Sequence, residues 1–263
     1  MPVNLTLGVS LKMYFGYQQT REWCQQVAEI TRNHPLLKHN DVTLFTFPSQ
    51  PAIETALTAF AAAPMSVGAQ NMSSEPQGAW TGETSARMLQ EMGCRFVELG
   101  HAERRTHFHE DDAQICQKVC LALQHQLTPV VCIGETTRMA AGHARVFAIE
   151  QANTIINALK NKRLQGEIIF AWEPQWAIGA SQPASAEYIR TVCSGLRHHL
   201  AAAWPRQARV IYGGSAGPGL LTQLWPDVDG LFLGRFAHSP DAFKSILDEA
   251  FALSHHSSQK ETI

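Results

Sequence analysis

Three places in this chain set a chemically capable side chain directly behind a short apolar run. His101 follows Phe96-Val97-Glu98-Leu99 and a glycine, within the stretch Glu98 to Thr106. Glu173 follows Ile168 to Trp172 and opens the stretch Glu-Pro-Gln-Trp-Ala-Ile-Gly. Lys12 follows Leu5 to Val9 and Ser10. A histidine, a carboxylate and an ammonium can together move a proton next to a carbonyl: one group as base, the others holding the oxyanion. Each has a blander reading. His101 can be a cap or core histidine, Glu173 a structural acid paired to an arginine, and Lys12 a solvated charge. Ala102-Glu103-Arg104-Arg105 reads as a first helical turn. A helix start disfavours the imidazolium and favours a neutral, hydrogen-bond-donating ring. Burial of Glu173 beside aromatic groups would raise its pKa and make it a better base. The Pro, Trp and Gly behind it suit a lid that moves as a body.

Two glycine turns add an anion site. Gly213-Gly214-Ser215 ends the run Val210 to Tyr212, and Gly234-Arg235 ends Gly230 to Leu233. Small residues let backbone N–H groups approach an anion, and Ser215 and Arg235 add side-chain donors. Other clusters are weaker. His107, His109, Glu110, Asp111 and Asp112 have metal-ligand chemistry but no spacing that makes them converge. The six cysteines, at 24, 94, 116, 120, 132 and 193, contain no C-x-x-C pair and read as buried thiols of a reducing compartment. His198 and His199 belong to a helix surface, and residues 22–29 offer a solvated helix face.

These residues need strands to hold them. Eight apolar β-rich runs are expected as strands: Leu5–Val9, Val42–Thr46, Met65–Ala69, Phe96–Leu99, Pro129–Ile133, Ile168–Trp172, Val210–Tyr212 and Gly230–Leu233. Amphipathic stretches lie between most of them, including Arg21–Ile30, Ala148–Leu159 and Tyr188–Leu200. Strands alternating with helices over 263 residues, without a linker, predict an α/β protein: a single-domain (β/α)8 barrel. No G-x-G-x-x-G follows the first strand, which argues against a dinucleotide fold. The polar segment from Ser254 to Ile263 is expected to fray.

Lysine plus arginine number 21 against 23 acids, a net charge of −2, and no basic block invites nucleic acid. No apolar run approaches the roughly 18 residues of a membrane span. The first residues lack a basic leader, so a cytoplasmic protein is expected.

The chain resembles the triosephosphate isomerase family over most of its length. The matching motifs are Gly-Ala-Gln-Asn (68–71), Thr-Gly-Glu (81–83), Glu-Leu-Gly-His-Ala-Glu-Arg-Arg (98–105), Val-Cys-Ile-Gly-Glu (131–135), Glu-Pro-Gln-Trp-Ala-Ile-Gly (173–179), Tyr-Gly-Gly-Ser (212–215) and Asp-Val-Asp-Gly (227–230). The resemblance implies Lys12, His101 and Glu173 as the catalytic set, with Glu103 as an acid behind it. It implies phosphate contacts at Gly179, Ser215 and Gly234. A neutral histidine electrophile is the known pattern of triosephosphate isomerase itself, so that role comes with the resemblance. The implied reaction is the glycolytic interconversion of dihydroxyacetone phosphate and glyceraldehyde 3-phosphate through an enediolate. It needs no metal and no organic cofactor. The resemblance also implies a homodimer, made through the loop 71–81. A barrel that binds sugar phosphate without turnover is the alternative of another class, but binding alone needs no base.

Three departures cluster at the substrate end. Ser10 stands where the family usually has asparagine. Arg235 replaces the second glycine of a usual pair, and Ala180-Ser181-Gln182 replaces Thr-Gly-Lys behind the lid. An intact catalytic set with a changed pocket suggests altered substrate fit. Ser-x-Lys and Gly-Arg also resemble a branch of the family acting on four-carbon tetrulose phosphates such as L-erythrulose 1-phosphate.

Overall fold

Burial on both faces makes each apolar run a parallel strand, since helices cover the outside and side chains fill the inside. The strands are β1 (Leu5–Ser10), β2 (Val42–Phe47), β3 (Ser66–Ala69), β4 (Phe96–Leu99), β5 (Thr128–Ile133), β6 (Ile168–Trp172), β7 (Ala208–Tyr212) and β8 (Gly230–Leu233). They pair in parallel in chain order, and β8 returns to β1 with Thr6 opposite Gly230 and Val9 opposite Leu233. The result is a closed (β/α)8 barrel, seen in a computed structural model that describes residues 5–39, 42–180, 184–205 and 207–259.

Helices α1 (Tyr17–Asn33), α2 (Leu36–His39), α3 (Ile53–Phe60), α4 (Ala86–Met92), α5 (Ala102–Phe108), α6 (Asp112–Gln124), α7 (Ala141–Asn161), α8 (Ala186–Ala203), α9 (Leu220–Leu224) and α10 (Pro240–Gln259) link and surround the strands. The last helix keeps its helical backbone to Gln259, past the point where polarity suggests fraying. Residues 260–263 lie outside the described part.

Alternation along each strand sorts the core into two layers. Leu5, Leu7, Val9, Val97, Leu99, Val131 and Ile133 face the helices. Phe45, Phe47, Phe96, Val130, Cys132, Ile169, Ala171, Ile211 and Phe232 fill the barrel. The rings of Phe45 and Phe96 stack at 4.7 Å, and Phe47 meets Phe232 edge-on at 5.9 Å. They fit because Gly8 and Gly68 have no side chain: a β-carbon at either would run into Phe45 or into Phe47 and the Phe96 backbone.

β7 begins two residues earlier than its apolar run. Arg209 interrupts the run, but its guanidinium reaches into the barrel base. There it donates to Thr6 Oγ1 (2.9 Å) and Thr43 Oγ1 (2.7 Å) and pairs with Glu167. The opposite, C-terminal rim is left for chemistry, as in barrels generally.

Candidate active site

Lys12, His101, Glu173, Ser10, Glu103, Gly179, Gly213, Gly214, Ser215, Gly234 and Arg235 all line one cavity of about 470 Å³ at that rim. The residues singled out in sequence therefore converge.

His101 caps α5. Its Nδ1 accepts the backbone N–H of Glu103 at 3.1 Å, so the proton of a neutral ring sits on Nε2. Burial, then the Lys12 charge, pushes its pKa down to about 4. Nδ1 also lies 3.6 Å from Glu103 Oε2, but a neutral ring already accepting an amide forms no ion pair there. Nε2 lies 3.4 Å from Glu173 Oε2, which has no hydrogen-bond partner of its own.

Glu173 has no arginine partner among the described residues, contrary to the structural reading of it, and is 3% exposed. Burial first, then the neighbouring Glu98, holds its pKa well above the carboxylate range. Gly213 makes room for it: a β-carbon there would lie 2.6 Å from Glu173 Cγ and Oε1. The Gly213 N–H is already donated to Trp172 O at 3.0 Å. Its contribution is space, rather than the anion contact its glycine turn suggests.

Lys12 Nζ donates to Glu103 Oε1 at 2.7 Å. Burial pulls its pKa down, but Glu103, Glu173 and Glu98 outweigh that and raise it overall. Its backbone has φ +48°, a costly region for a residue with a side chain. Two donors on the Lys12 carbonyl hold it there, Ser49 Oγ (3.0 Å) and Gln70 Nε2 (2.9 Å). The strand-end lysine is thereby aimed into the cavity.

The lid segment starts at Pro174 with a 3-10 turn over Gln175–Ala177. Trp176 Nε1 donates to Glu135 Oε1 (2.9 Å), and Tyr188 OH donates to the same oxygen (2.8 Å). Ser215 Oγ donates to Ala180 O at 3.0 Å, and Arg235 Nη2 to Gly179 O at 3.4 Å. The glycine turns after β7 and β8 thus reach the lid from below. Ser181 and Gln182 lie outside the described residues. The amides of Gly214, Ser215, Gly234 and Arg235 have no backbone acceptor among the described residues.

Two site features escape a sequence reading. Glu98 points into the barrel beside the catalytic set, and Ser10 Oγ donates to its Oε2 at 2.9 Å. Burial pushes its pKa up to about 7. An acid on a strand buried throughout was the signal. The Glu135 anchor joins residues 41 and 53 positions apart and left no local sign.

The metal-like run does not assemble. Glu110 turns inward onto Arg104 and Lys118, Asp111 caps α6 through Gln114 N (2.8 Å), and Arg105 holds Asp112 (2.7 Å). Among the described residues no group of three or more His, Cys, Asp or Glu could hold a metal ion. All six cysteines are free, five of them buried. His198 is exposed, while His199 is half-buried against Asn153. No helix among the described residues is long and apolar enough to cross a membrane.

The rim sets a histidine with a lowered pKa against a buried carboxylate, with a lysine beside them, an arrangement with the groups that proton transfer next to a carbonyl requires. The triosephosphate isomerase family model matches residues 5–250, and the chain belongs to that family and is an isomerase. It is 51% identical to an L-erythrulose-1-phosphate isomerase of Pectobacterium atrosepticum, covering 95% of this chain and 97% of that one. It is 38% identical to a protein of the same name from Mesorhizobium japonicum (96% and 99% covered). It is 34% identical to a probable triosephosphate isomerase 2 of Listeria monocytogenes (92% and 95% covered).

Proposed function

We propose that this isomerase acts on a four-carbon ketose phosphate of the L-erythrulose 1-phosphate type. The observation that carries the reading is the 51% identity, over 95% of the chain, to a relative of that name. Ser10 and Arg235, which depart from the usual family pattern at the substrate end, support it. The triose-phosphate reading, first implied by the family resemblance, rests on the more distant relative at 34% identity and is the second choice.

In this reading the phosphate lies against the open amides of Gly214, Ser215, Gly234 and Arg235, with the Arg235 guanidinium and the Gly179 end of the lid closing on it. Glu173 takes a proton from the carbon next to the carbonyl, and the carbonyl oxygen becomes an enediolate oxyanion. His101 Nε2–H and Lys12 Nζ stabilise that oxygen. The hydroxyl proton of the neighbouring carbon passes to the former carbonyl oxygen, with His101 Nε2 within reach of both oxygens in this reading, and as the new carbonyl forms Glu173 returns its proton to the former carbonyl carbon. Lid closure excludes water and limits loss of phosphate from the intermediate. With a triose the carbonyl arrives at a chain end and the product is an aldose. With a 2-keto tetrose 1-phosphate the receiving carbon already bears a hydroxymethyl group, so the product is another ketose.

The chain is proposed to work as a cytoplasmic homodimer. Residues 76–81 of the 71–81 loop are exposed, Trp80 among them at 54%. Met13 (91%) and Phe108 (63%), also exposed, line a second cavity of about 640 Å³ suited to a partner's loop. Light scattering giving a dimer that Trp80→Glu converts to monomer supports this, and a monomeric wild type refutes it. The substrate test is solvent-deuterium incorporation and kcat/KM with L-erythrulose 1-phosphate and with dihydroxyacetone phosphate. A higher kcat/KM for the tetrulose phosphate is expected. Turnover of the triose phosphate alone would overturn the four-carbon reading.

A further inference from the structure

Glu98 is a buried acid beside the catalytic set that exchanges no proton with the substrate in the reaction proposed above. It lies on β4, three residues before His101, with its side chain in the barrel and 3% exposed. Its described side-chain partner is Ser10, across the barrel mouth. The two cavities of the rim meet at these residues. The first, about 470 Å³, is bounded by Glu173, Gly214 and Gly234 on the β6–β8 side. The second, about 640 Å³, is bounded by Gln50, Asn71 and Glu98 on the β2–β4 side. Ser10, Lys12, His101 and Glu103 belong to both.

This layout orients a substrate. With the phosphate on the β7–β8 turns and the reacting carbons between Glu173 and His101, the far end of the molecule is directed toward the second cavity, past Ser10. A fourth carbon must leave the first cavity there. It carries a hydroxyl, which brings one donor and two acceptor sites into a buried space. A hydroxyl buried there without partners gives up its hydrogen bonds to water for nothing, so the wall must be polar. Ser10 supplies a short side chain and an oxygen. Glu98 supplies a carboxyl whose pKa burial raises to about 7, so a protonated form that can donate as well as accept is populated at neutral pH. Gln70 also lines the second cavity, but its amide N–H groups are committed to the carbonyls of Lys12 and Phe47.

We propose that Ser10 and Glu98 form the socket for the terminal hydroxymethyl group of a four-carbon substrate and set the preference for four carbons over three. The inference rests on the tetrulose-phosphate reading above. The test compares wild type with Glu98→Gln, Glu98→Leu and Ser10→Asn. The readout is the ratio of kcat/KM for L-erythrulose 1-phosphate to that for dihydroxyacetone phosphate. A general loss of activity or fold moves both substrates together, so the ratio isolates the socket. Glu98→Leu is expected to lower the ratio at least tenfold, because it leaves the hydroxyl without its carboxyl partner. Ser10→Asn is expected to lower it at least tenfold by filling the space while keeping Glu98. Glu98→Gln, close to isosteric, falls between wild type and the leucine variant. A ratio within threefold of wild type in all three variants would overturn the socket. A wild type inactive on the tetrulose phosphate would instead overturn the underlying reading, so the two failures are distinguishable.

Discussion

Gly213→Ala tests whether the base works because of where it is held. A β-carbon at residue 213 would lie 2.6 Å from Glu173 Cγ, 2.6 Å from Oε1 and 3.0 Å from Cδ. Ordinary contact is about 3.5–4.0 Å, so one partner must give by about 1 Å. The backbone at 213 is pinned by its N–H to Trp172 O, so the carboxylate is what moves. A misplacement of about 1 Å at the reacting group costs about 10²-fold. The expected result is a kcat near one hundredth of wild type, with inhibition by inorganic phosphate unchanged, because the proposed phosphate contacts lie elsewhere. Overpacking costs about 1–3 kcal/mol, which a barrel of this size tolerates, and circular dichroism checks that the variant stays folded. Glu173→Asp supplies the control. It withdraws the carboxylate by about one methylene and lowers kcat by itself by about 10²-fold or more. In the double variant the alanine methyl meets vacated space, so the two losses should fall well short of multiplying. A Gly213→Ala enzyme within threefold of wild type, or a double variant whose losses multiply, would refute the view that Gly213 positions the base.

Two further outcomes concern protons. His101, pushed down to about 4, should stay neutral with its proton on Nε2 down to about pH 5, read from its ¹⁵N shifts; an ordinary titration near 6.5 would contradict the burial argument. Glu98 bears on stability. Its pKa is raised from 4.5 to about 7, so the native state holds a proton that the unfolded state releases between those values. Its contribution is therefore fully present below about 4.5 and is lost as pH rises through about 7, on the order of 3 kcal/mol in all. Urea unfolding at pH 5 and pH 8 should show wild type losing that much more than Glu98→Gln; parallel losses in both proteins would mean Glu98 is not the group titrating.

The barrel was legible because a strand covered on both faces leaves an apolar run that no helix face interrupts. Phe96–Leu99, Ile168–Trp172 and Gly230–Leu233 coincide with the observed strands. β7 was read short because a charged Arg209 lies outside the apolar run, and only the closed barrel brings Thr6, Thr43 and Glu167 round to meet it. His101, Glu173 and Lys12 were readable as strand-end residues, and the barrel then gathers strand ends. Gly213 was read as a phosphate contact from its turn composition. Only the pairing of β6 with β7 reveals that its N–H is spent and that the missing side chain is what matters. The Ser10–Glu98 contact spans 88 positions, so no local pattern announces it. The inward face of β4 did carry a trace, because Phe96 fills the barrel and Glu98 lies two residues on.

The charges of the pocket explain how three acids and one lysine serve a single base. Glu103 is half-exposed; burial raises its pKa, but its bond to Lys12 together with the charges of Lys12, His101 and His107 outweighs that and lowers it overall, so Glu103 and Lys12 form an ion pair. Glu98 and Glu173 are left buried with that one cation already shared. Each is pushed toward its protonated form by burial, and the Glu98 carboxylate adds to the push on Glu173. Glu98 can take its proton from solvent and rest as a neutral donor. Glu173, when ionised at the start of a cycle, holds an unfavourable buried charge that a proton from the substrate carbon relieves. In the proposed reaction the resulting negative charge moves to the enediolate oxygen, where His101 Nε2–H and the Lys12 ammonium, both on the cavity wall, would receive it. Burial thus raises the free energy of the reactant state, and the donors lower that of the transition state, which is the differential stabilisation that accelerates a reaction. An arginine placed against Glu173 would remove the first half of that difference while leaving the fold and the phosphate site intact.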